Sequence, residues 1–212
     1  MYRVLLVDDH PALRKGMKSI LEDALPGVAV SEAGDGDQAL VVLAEPAPRP
    51  FDVVVLDLTM PGRSGIDLLA EVKHRYPKLP VLIMSLHGEE QFAVRALKAG
   101  ASGYLTKTAA PEQLVVAVGK LARGQRYVSE SLAERLAADV GHKETAAPHE
   151  RLSDREFEVM RGLASGQSVS EIAEQMRLSV KTVSTYRTRL LEKLGMETNA
   201  DVTRYALQNG LV

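Results

Sequence analysis

The sequence predicts a doubly wound α/β unit of five parallel strands in the order 2-1-3-4-5, followed by a small all-α unit of four helices. Three observations predict this. Short apolar runs alternate with helical patterns over the first 125 residues, and alternation of that kind builds a parallel sheet covered on both faces. From Arg151 onward no strand signal remains. Helix caps then recur to the end of the chain.

The strands fall at Val4–Val7, Val28–Val30, Val53–Leu56, Val81–Met84 and Gly103–Thr106, each a continuous apolar run of the kind buried on both faces. Pro11 opens the first helix at a favoured first-turn position, and Leu13, Met17, Ile20 and Leu21 continue it. Further helices cover about Asp37–Leu43, Ile66–Arg75, Glu89–Lys98 and Pro111–Leu121, and Gly100 stops the fourth. Ser131-Leu132-Ala133-Glu134 reads as a capping box on a short helix to about Val140. Gly141–Glu150 has no apolar period and reads as a linker. Ser153-x-x-Glu156 and Ser168-x-x-Glu171 are two more capping boxes, Ser179 caps a third helix, and Thr198 or Asn199 a fourth. The expected organisation is 1–128, a linker with a short helix over 129–150, and 151–212.

Composition narrows the function classes. A chain of 212 residues, 45% hydrophobic and 25% charged, is neither disordered nor supercharged. The absence of Cys excludes a disulfide framework, a thiolate nucleophile and Cys-ligated zinc, and fits a reducing cytoplasm. Met1 leads directly into a strand that ends in Asp8-Asp9, so no signal peptide is expected, and no apolar run reaches the roughly 18 residues of a membrane helix. With no Trp and 4% aromatic residues, a carbohydrate or base-stacking surface is not expected. Residues 1–128 carry net charge 0, residues 129–150 −3 and residues 151–212 +1, so any nucleic-acid footprint must be local.

Ligands of open α/β sheets bind at the carboxyl ends of the strands, where strand order switches. Strand 1 ends in Asp8-Asp9, strand 3 in Asp57, strand 4 in Ser85 and strand 5 in Lys107. A lone Asp at a strand end is usually a solvated loop residue or a cap. Three carboxylates converging between strands 1 and 3 are different, because they repel one another unless a hard divalent cation joins them. Oxygen-only ligands in a water-accessible site favour Mg²⁺. A Lys and a hydroxyl beside them complete a kit for phosphoryl transfer.

The helix expected from Ser179 to Leu194 carries a second pattern. Val183, Leu190 and Leu194 fall within about 40° of one another and form its buried face. Lys181, Ser184, Thr185, Thr188 and Glu192 occupy another face, flanked by Arg187, Arg189 and Lys193. Short hydroxyls with basic flanks suit a DNA major groove, with hydroxyls and Lys181 at base edges and the flanking cations at phosphates. A short helix at Glu171–Arg177 and a turn at Leu178-Ser179 precede it, which is helix-turn-helix spacing.

Residues 1–125 resemble a response-regulator receiver domain of two-component signalling, a flavodoxin-like fold. The resemblance rests on Val7-Asp8-Asp9-His10-Pro11, Leu56-Asp57-Leu58-Thr59-Met60-Pro61-Gly62, Ser85-Leu86-His87 and Gly103-Tyr104-Leu105-Thr106-Lys107. It implies that Asp57 is the phosphoacceptor and that Asp9 and Asp57 bind Mg²⁺ directly. The Thr59 carbonyl would complete the protein ligands, and Asp8 would act through water. It also implies that Lys107 pairs with the phosphoryl oxygens, that Ser85 hydrogen-bonds them, and that Tyr104 is a switch aromatic turning inward as Ser85 moves toward phosphate. His10 is expected on the rim. Leu86 stands where many receivers carry a smaller residue, which would restrict access to Asp57.

Residues 151–212 resemble the LuxR/NarL-type regulator domain through Leu152-Ser153-x-Arg155-Glu156, Gly166, Glu171-Ile172-Ala173, Ser179-x-Lys181-Thr182-Val183 and Lys193-Leu194. Val169, Ser184 and Tyr186 depart from that pattern, and Ser184 in place of Lys removes a strong guanine donor. The last helix resembles a dimerisation helix, with Val202 and Tyr205 as contacts. The two resemblances together imply a cytoplasmic transcription regulator of the FixJ kind. Its partners would be a histidine kinase as phosphodonor, a double-stranded DNA operator and, on DNA, a second copy; no membrane partner is expected.

Two rival functions belong to other classes. Aspartyl-phosphate phosphohydrolases of the haloacid-dehalogenase type need an acid two residues after the nucleophile, and Thr59 stands there, so no turnover enzyme is expected. A phosphorylation-independent regulator with a non-signalling receiver is disfavoured by the intact Asp8, Asp9, Asp57 and Lys107.

Overall fold

A computed structural model describes residues 2–46, 48–58, 60, 65–85, 89–129, 132–134 and 147–212. The chain folds as two compact units, Met1–His142 and Lys143–Val212.

The first unit alternates β1 (Arg3–Val7), α1 (Pro11–Ala24), β2 (Ala29–Ala33), α2 (Gly36–Ala44), β3 (Val53–Asp57), α3 (Gly65–Arg75), β4 (Val81–Ser85), α4 (Glu89–Lys98), β5 (Gly103–Thr106) and α5 (Pro111–Leu121). The strands form one parallel sheet in the order β2-β1-β3-β4-β5, as the sequence predicts. Side chains alternate across it. Val4, Leu6, Val53, Val55, Leu82 and Met84 pack with Met17 and Leu21 of α1 and Leu114, Val118 and Leu121 of α5. Leu5, Val54, Leu56 and Ile83 are buried on the other face. Each such residue contributes about 1.5–3 kcal/mol by leaving water. Parallel strands need this double cover, which is why their runs are apolar without interruption.

β2 departs from expectation. It covers Ala29–Ala33 rather than Val28–Val30 and includes Ser31 and Glu32. As an edge strand it is only half-buried, so an apolar run was not required and its polar residues hid it. Glu32 takes Arg14 and Lys18 of α1, each at 3.2 Å.

The second unit is helical. A 3₁₀ turn at Pro148–Arg151 leads into α6 (Asp154–Ala164), α7 (Val169–Gln175), α8 (Val180–Leu194) and α9 (Asn199–Gln208). Ser153 and Ser168 form the two expected capping boxes, Ser179 caps α8, and Thr198 caps α9 in a third box with Asp201. The α7–α8 turn passes through Arg177 in the left-handed region, at φ 52°. Gly195 ends α8 at φ 66°, a conformation that costs a residue without Cβ nothing. Phe157, Met160, Ile172, Val183, Leu190, Val202 and Ala206 are buried in the core of this unit.

Of the helix expected from Ser131 to Val140, residues 132–134 are described and helical, with Ser129 Oγ accepting the Leu132 N–H at 3.2 Å. Ser131, the rest of that helix, most of the linker, Thr59, Pro61-Gly62 and Leu86-His87 lie outside the described residues. Among the described residues no helix is long and apolar enough to cross a membrane.

Candidate functional site

The acidic site is assembled by strand ends. Asp57 is the last residue of β3 and Ser85 the last of β4, while Asp8 follows β1 and Lys107 follows β5. Asp8, Asp57 and Ser85 are each at most 1% exposed. The Lys107 ammonium lies 2.7 Å from both Asp8 Oδ2 and Asp57 Oδ2, with its own side chain only 3% exposed. Its backbone N–H donates to the Ser85 carbonyl at 2.8 Å, which fixes the loop that carries it. Burial alone pushes the Lys107 ammonium down, but the ion pairs with Asp57 and Asp8 outweigh it and the net shift is upward.

Gly65 holds the backbone beside Asp57 from the other side. A Cβ there would stand 2.5 Å from the Asp57 carbonyl oxygen and from the Leu58 backbone. Its N–H donates to the Leu58 carbonyl at 3.2 Å, so α3 begins hard against the end of β3. Only a residue without Cβ permits this approach.

Asp8, Asp9, His10 and Asp57 each offer one ligand atom, all within 4.8 Å of one another. Three carboxylates against the Lys107 ammonium carry a formal charge of −2, which a divalent cation cancels. The carboxylate oxygens are the donor set of a hard cation, so the residues present fit such an ion. His10 sits closer to this group than a rim position implies. Its Nδ1 is 2.9 Å from Asp9 Oδ1 and 3.2 Å from Asp8 Oδ1.

Tyr104 is buried at 1% exposure, so its ring is inside the fold.

On α8 the expected faces are present. Val183 and Leu190 are buried, whereas Lys181, Ser184, Thr185, Thr188, Arg189 and Lys193 are exposed and Arg187 is half-buried. Leu194 is only half-buried, and Leu191 takes a larger part in the core.

Residues 4–119 match the response regulator receiver domain family, and residues 150–206 match the bacterial regulatory proteins of the luxR family. The chain belongs to the two-component response regulators with a luxR-family output domain. The regulator is 36% identical to Response regulator UvrY of Escherichia coli over 212 residues, covering 100% of this chain and 96% of that protein. It is 38% identical to Transcriptional activator protein ExaE of Pseudomonas putida, covering 99% and 97%. It is 34% identical to Response regulator GacA of Pseudomonas aeruginosa, covering 100% and 98%. Among solved structures, RcsB of Salmonella enterica serovar Typhimurium bound to promoter P1flhDC with the phosphomimetic BeF3⁻ matches with TM-score 0.63. Its identity is 28%, and the match covers 96% of the regulator and 97% of that chain.

Three contacts revise the sequence reading of the regulator's second unit. Lys193 donates to Glu156 Oε2 at 2.6 Å, and Glu156 is 3% exposed. Burial pushes the Glu156 carboxyl up, but hydrogen bonds from Lys193 and Ser153 overcome that, and it titrates below the usual carboxylate range. Thr185 Oγ1 donates to the Lys181 carbonyl at 3.0 Å and Thr188 Oγ1 to the Ser184 carbonyl at 3.1 Å. Their hydroxyl protons are therefore spent within the helix, and they present methyls and oxygen lone pairs outward.

Val202 is a correction. It is 0% exposed within the core of its own unit and offers no surface to a second copy. The resemblance alone offered Val202 as a dimer contact, whereas α9 packs on α6 and Val202 is buried within the unit. Tyr205 is half-buried, with its hydroxyl 2.9 Å from His149 Nδ1. Sequence reasoning missed Glu156 as the partner of Lys193 and His10 as a member of the acidic group. Asp8-Asp9-His10 adjacency was the available signal for the second; no signal marked the first.

Proposed function

We propose that the regulator accepts a phosphoryl group on Asp57 from a partner histidine kinase, and that this modification sets the affinity of α8 for double-stranded operator DNA. The observation that carries the reading is the buried Lys107 ammonium 2.7 Å from Asp57 Oδ2 and Asp8 Oδ2. In the transfer the N–P bond of the kinase phosphohistidine breaks and an Oδ–P bond to Asp57 forms. The leaving imidazole keeps the nitrogen electron pair and takes a proton. Lys107 pairs with the phosphoryl oxygens, Ser85 hydrogen-bonds them, and Tyr104 is the switch aromatic that turns inward as Ser85 moves toward phosphate. Asp9, Asp57 and the Thr59 carbonyl would hold Mg²⁺, with Asp8 acting through water. When bound, the ion neutralises negative charge on the transferring phosphoryl group.

On DNA, Ser184, Thr185 and Thr188 face base edges. Lys181 joins them there, Arg187 and Arg189 reach phosphates, and Lys193 contributes less because Glu156 holds it. A cytoplasmic regulator of this kind binds paired half-sites as a homodimer, with Tyr205 on the contact surface. The RcsB complex, which joins a promoter and a phosphomimetic in one structure, supports the coupling of the two units' functions. The reading is tested by titrating the regulator onto DNA selected from a random library, with and without an acyl-phosphate donor and Mg²⁺. The donor is expected to change the affinity of the wild type and leave Asp57→Asn unchanged. Equal curves for the wild type overturn the reading.

A further inference from the structure

The resemblance that names the acidic carboxylates assigns nothing to His10. Its ring is nonetheless placed among them. His10 is the N-cap residue of α1, yet its side chain makes no capping hydrogen bond. Its backbone N–H donates to Asp8 Oδ1 at 2.8 Å, and Pro11 at the first helical position fixes the chain just after it. The ring thus lies against Asp8 and Asp9, while its outer edge remains in water at 54% side-chain exposure.

The spacing has a chemical meaning. Adjacent ligands of an octahedral ion with bonds of about 2.1 Å stand roughly 3.0 Å apart. His10 Nδ1 stands 2.9 Å from Asp9 Oδ1, which matches that spacing, and 3.2 Å from Asp8 Oδ1, the carboxylate that reaches the ion through water. Asp57 offers an oxygen within 4.8 Å of the same atoms. In the Nε2–H tautomer the Nδ1 lone pair faces the space that these oxygens surround. On the reading that this pocket holds a divalent cation, we infer that His10 is an additional ligand, and that its nitrogen selects borderline first-row ions such as Mn²⁺ and Co²⁺ over Mg²⁺. A pocket of carboxylates and carbonyls alone suits Mg²⁺. An imidazole adds affinity that rises along the first-row series and gives Mg²⁺ little, because Mg²⁺ holds oxygen and water by preference. The Lys107 ammonium remains on the Asp57 and Asp8 Oδ2 atoms, on the side away from the His10 contact at Asp8 Oδ1.

The test is calorimetric titration of the full chain with Mg²⁺, Mn²⁺ and Co²⁺, together with the nitrogen coupling of bound Mn²⁺ measured by pulsed electron paramagnetic resonance. Wild type, His10→Ala, His10→Gln and Asp57→Asn are compared, with thermal melts to show that each is folded. His10→Ala and His10→Gln are expected to weaken Co²⁺ about tenfold or more and Mn²⁺ several-fold. Mg²⁺ should stay within twofold, and the nitrogen coupling should vanish. If His10→Ala weakens all three ions equally or none of them, or if the nitrogen coupling persists in it, the role of His10 is overturned while the cation pocket stands. If Asp57→Asn titrates like wild type with every ion, the pocket reading itself fails and the inference with it.

Discussion

At the scale of single residues the chemistry is concentrated in Asp57 and Lys107. Asp57→Asn keeps the shape of the side chain and removes the nucleophile. It is expected to abolish labelling by an acyl-phosphate donor, and mass spectrometry of the intact chain checks this. Full-stoichiometry labelling of the variant would place the phosphoryl group elsewhere. Lys107→Ala leaves Asp8 and Asp57 buried without the ammonium between them, and breaking a buried ion pair from one side costs about 3–5 kcal/mol. Chemical denaturation measures that loss, and added Mg²⁺ is expected to restore part of it by supplying positive charge. Donor-stimulated DNA binding should fall far more in Lys107→Ala than in Lys98→Ala at the end of α4. The pH dependence follows from the upward shift of Lys107. Its contribution to stability is fully present below the unfolded lysine value of about 10.4 and is lost as pH rises through the higher folded value.

At the scale of elements, Glu156 ties α6 to α8. It accepts the Ser153 N–H at 2.7 Å within the capping box and Lys193 at 2.6 Å across the helices. Its folded value is lowered, so its contribution is present above the unfolded value of about 4.3 and is lost as pH falls through the folded one. Glu156→Gln is therefore expected to flatten the acid limb of the second unit's stability curve, read by helical circular dichroism through the acid range below that value. The recognition helix divides its labour in a measurable way. Arg189→Ala should lower the salt slope of DNA binding by about one unit with little change in sequence preference. Lys193→Ala should lower it less, because its cation already serves Glu156. Thr188→Ala loses both the outward methyl and the oxygen acceptor, so it should relax preference at one base pair by at most roughly 1–3 kcal/mol. Salt titrations on selected and random DNA separate these outcomes. Loss of discrimination by Arg189→Ala with an unchanged slope would reverse the face assignment.

At the scale of the molecule, two units each carry a core of their own. Residues such as Leu6, Val55 and Leu82 close the first, and Phe157, Val183 and Leu190 the second. Units with separate cores unfold as separate cooperative transitions. Scanning calorimetry is expected to resolve two, with Lys107→Ala moving one and Glu156→Gln at low pH moving the other. A single transition shifted equally by both substitutions would show that the units unfold together.

The residues themselves carry the element order, the parallel sheet and the placement of Asp8, Asp57, Ser85 and Lys107 at strand ends. Central strands must be apolar on both faces, and strand-end residues must fall where the sheet opens, so periodicity is enough to find both. Caps were equally legible, because Ser153, Ser168, Ser179 and Thr198 act on backbone N–H groups only a few residues away. The edge strand Ala29–Ala33 was misplaced because exposure released it from the apolar rule. Tertiary structure alone decided the rest. It set the Lys107 ammonium between two carboxylates, turned His10 toward the acids, paired Lys193 with Glu156 and buried Val202 under α6. Each of these depends on a contact between segments or on the direction of one side chain, and neither quantity is carried by the spacing of residues along a chain.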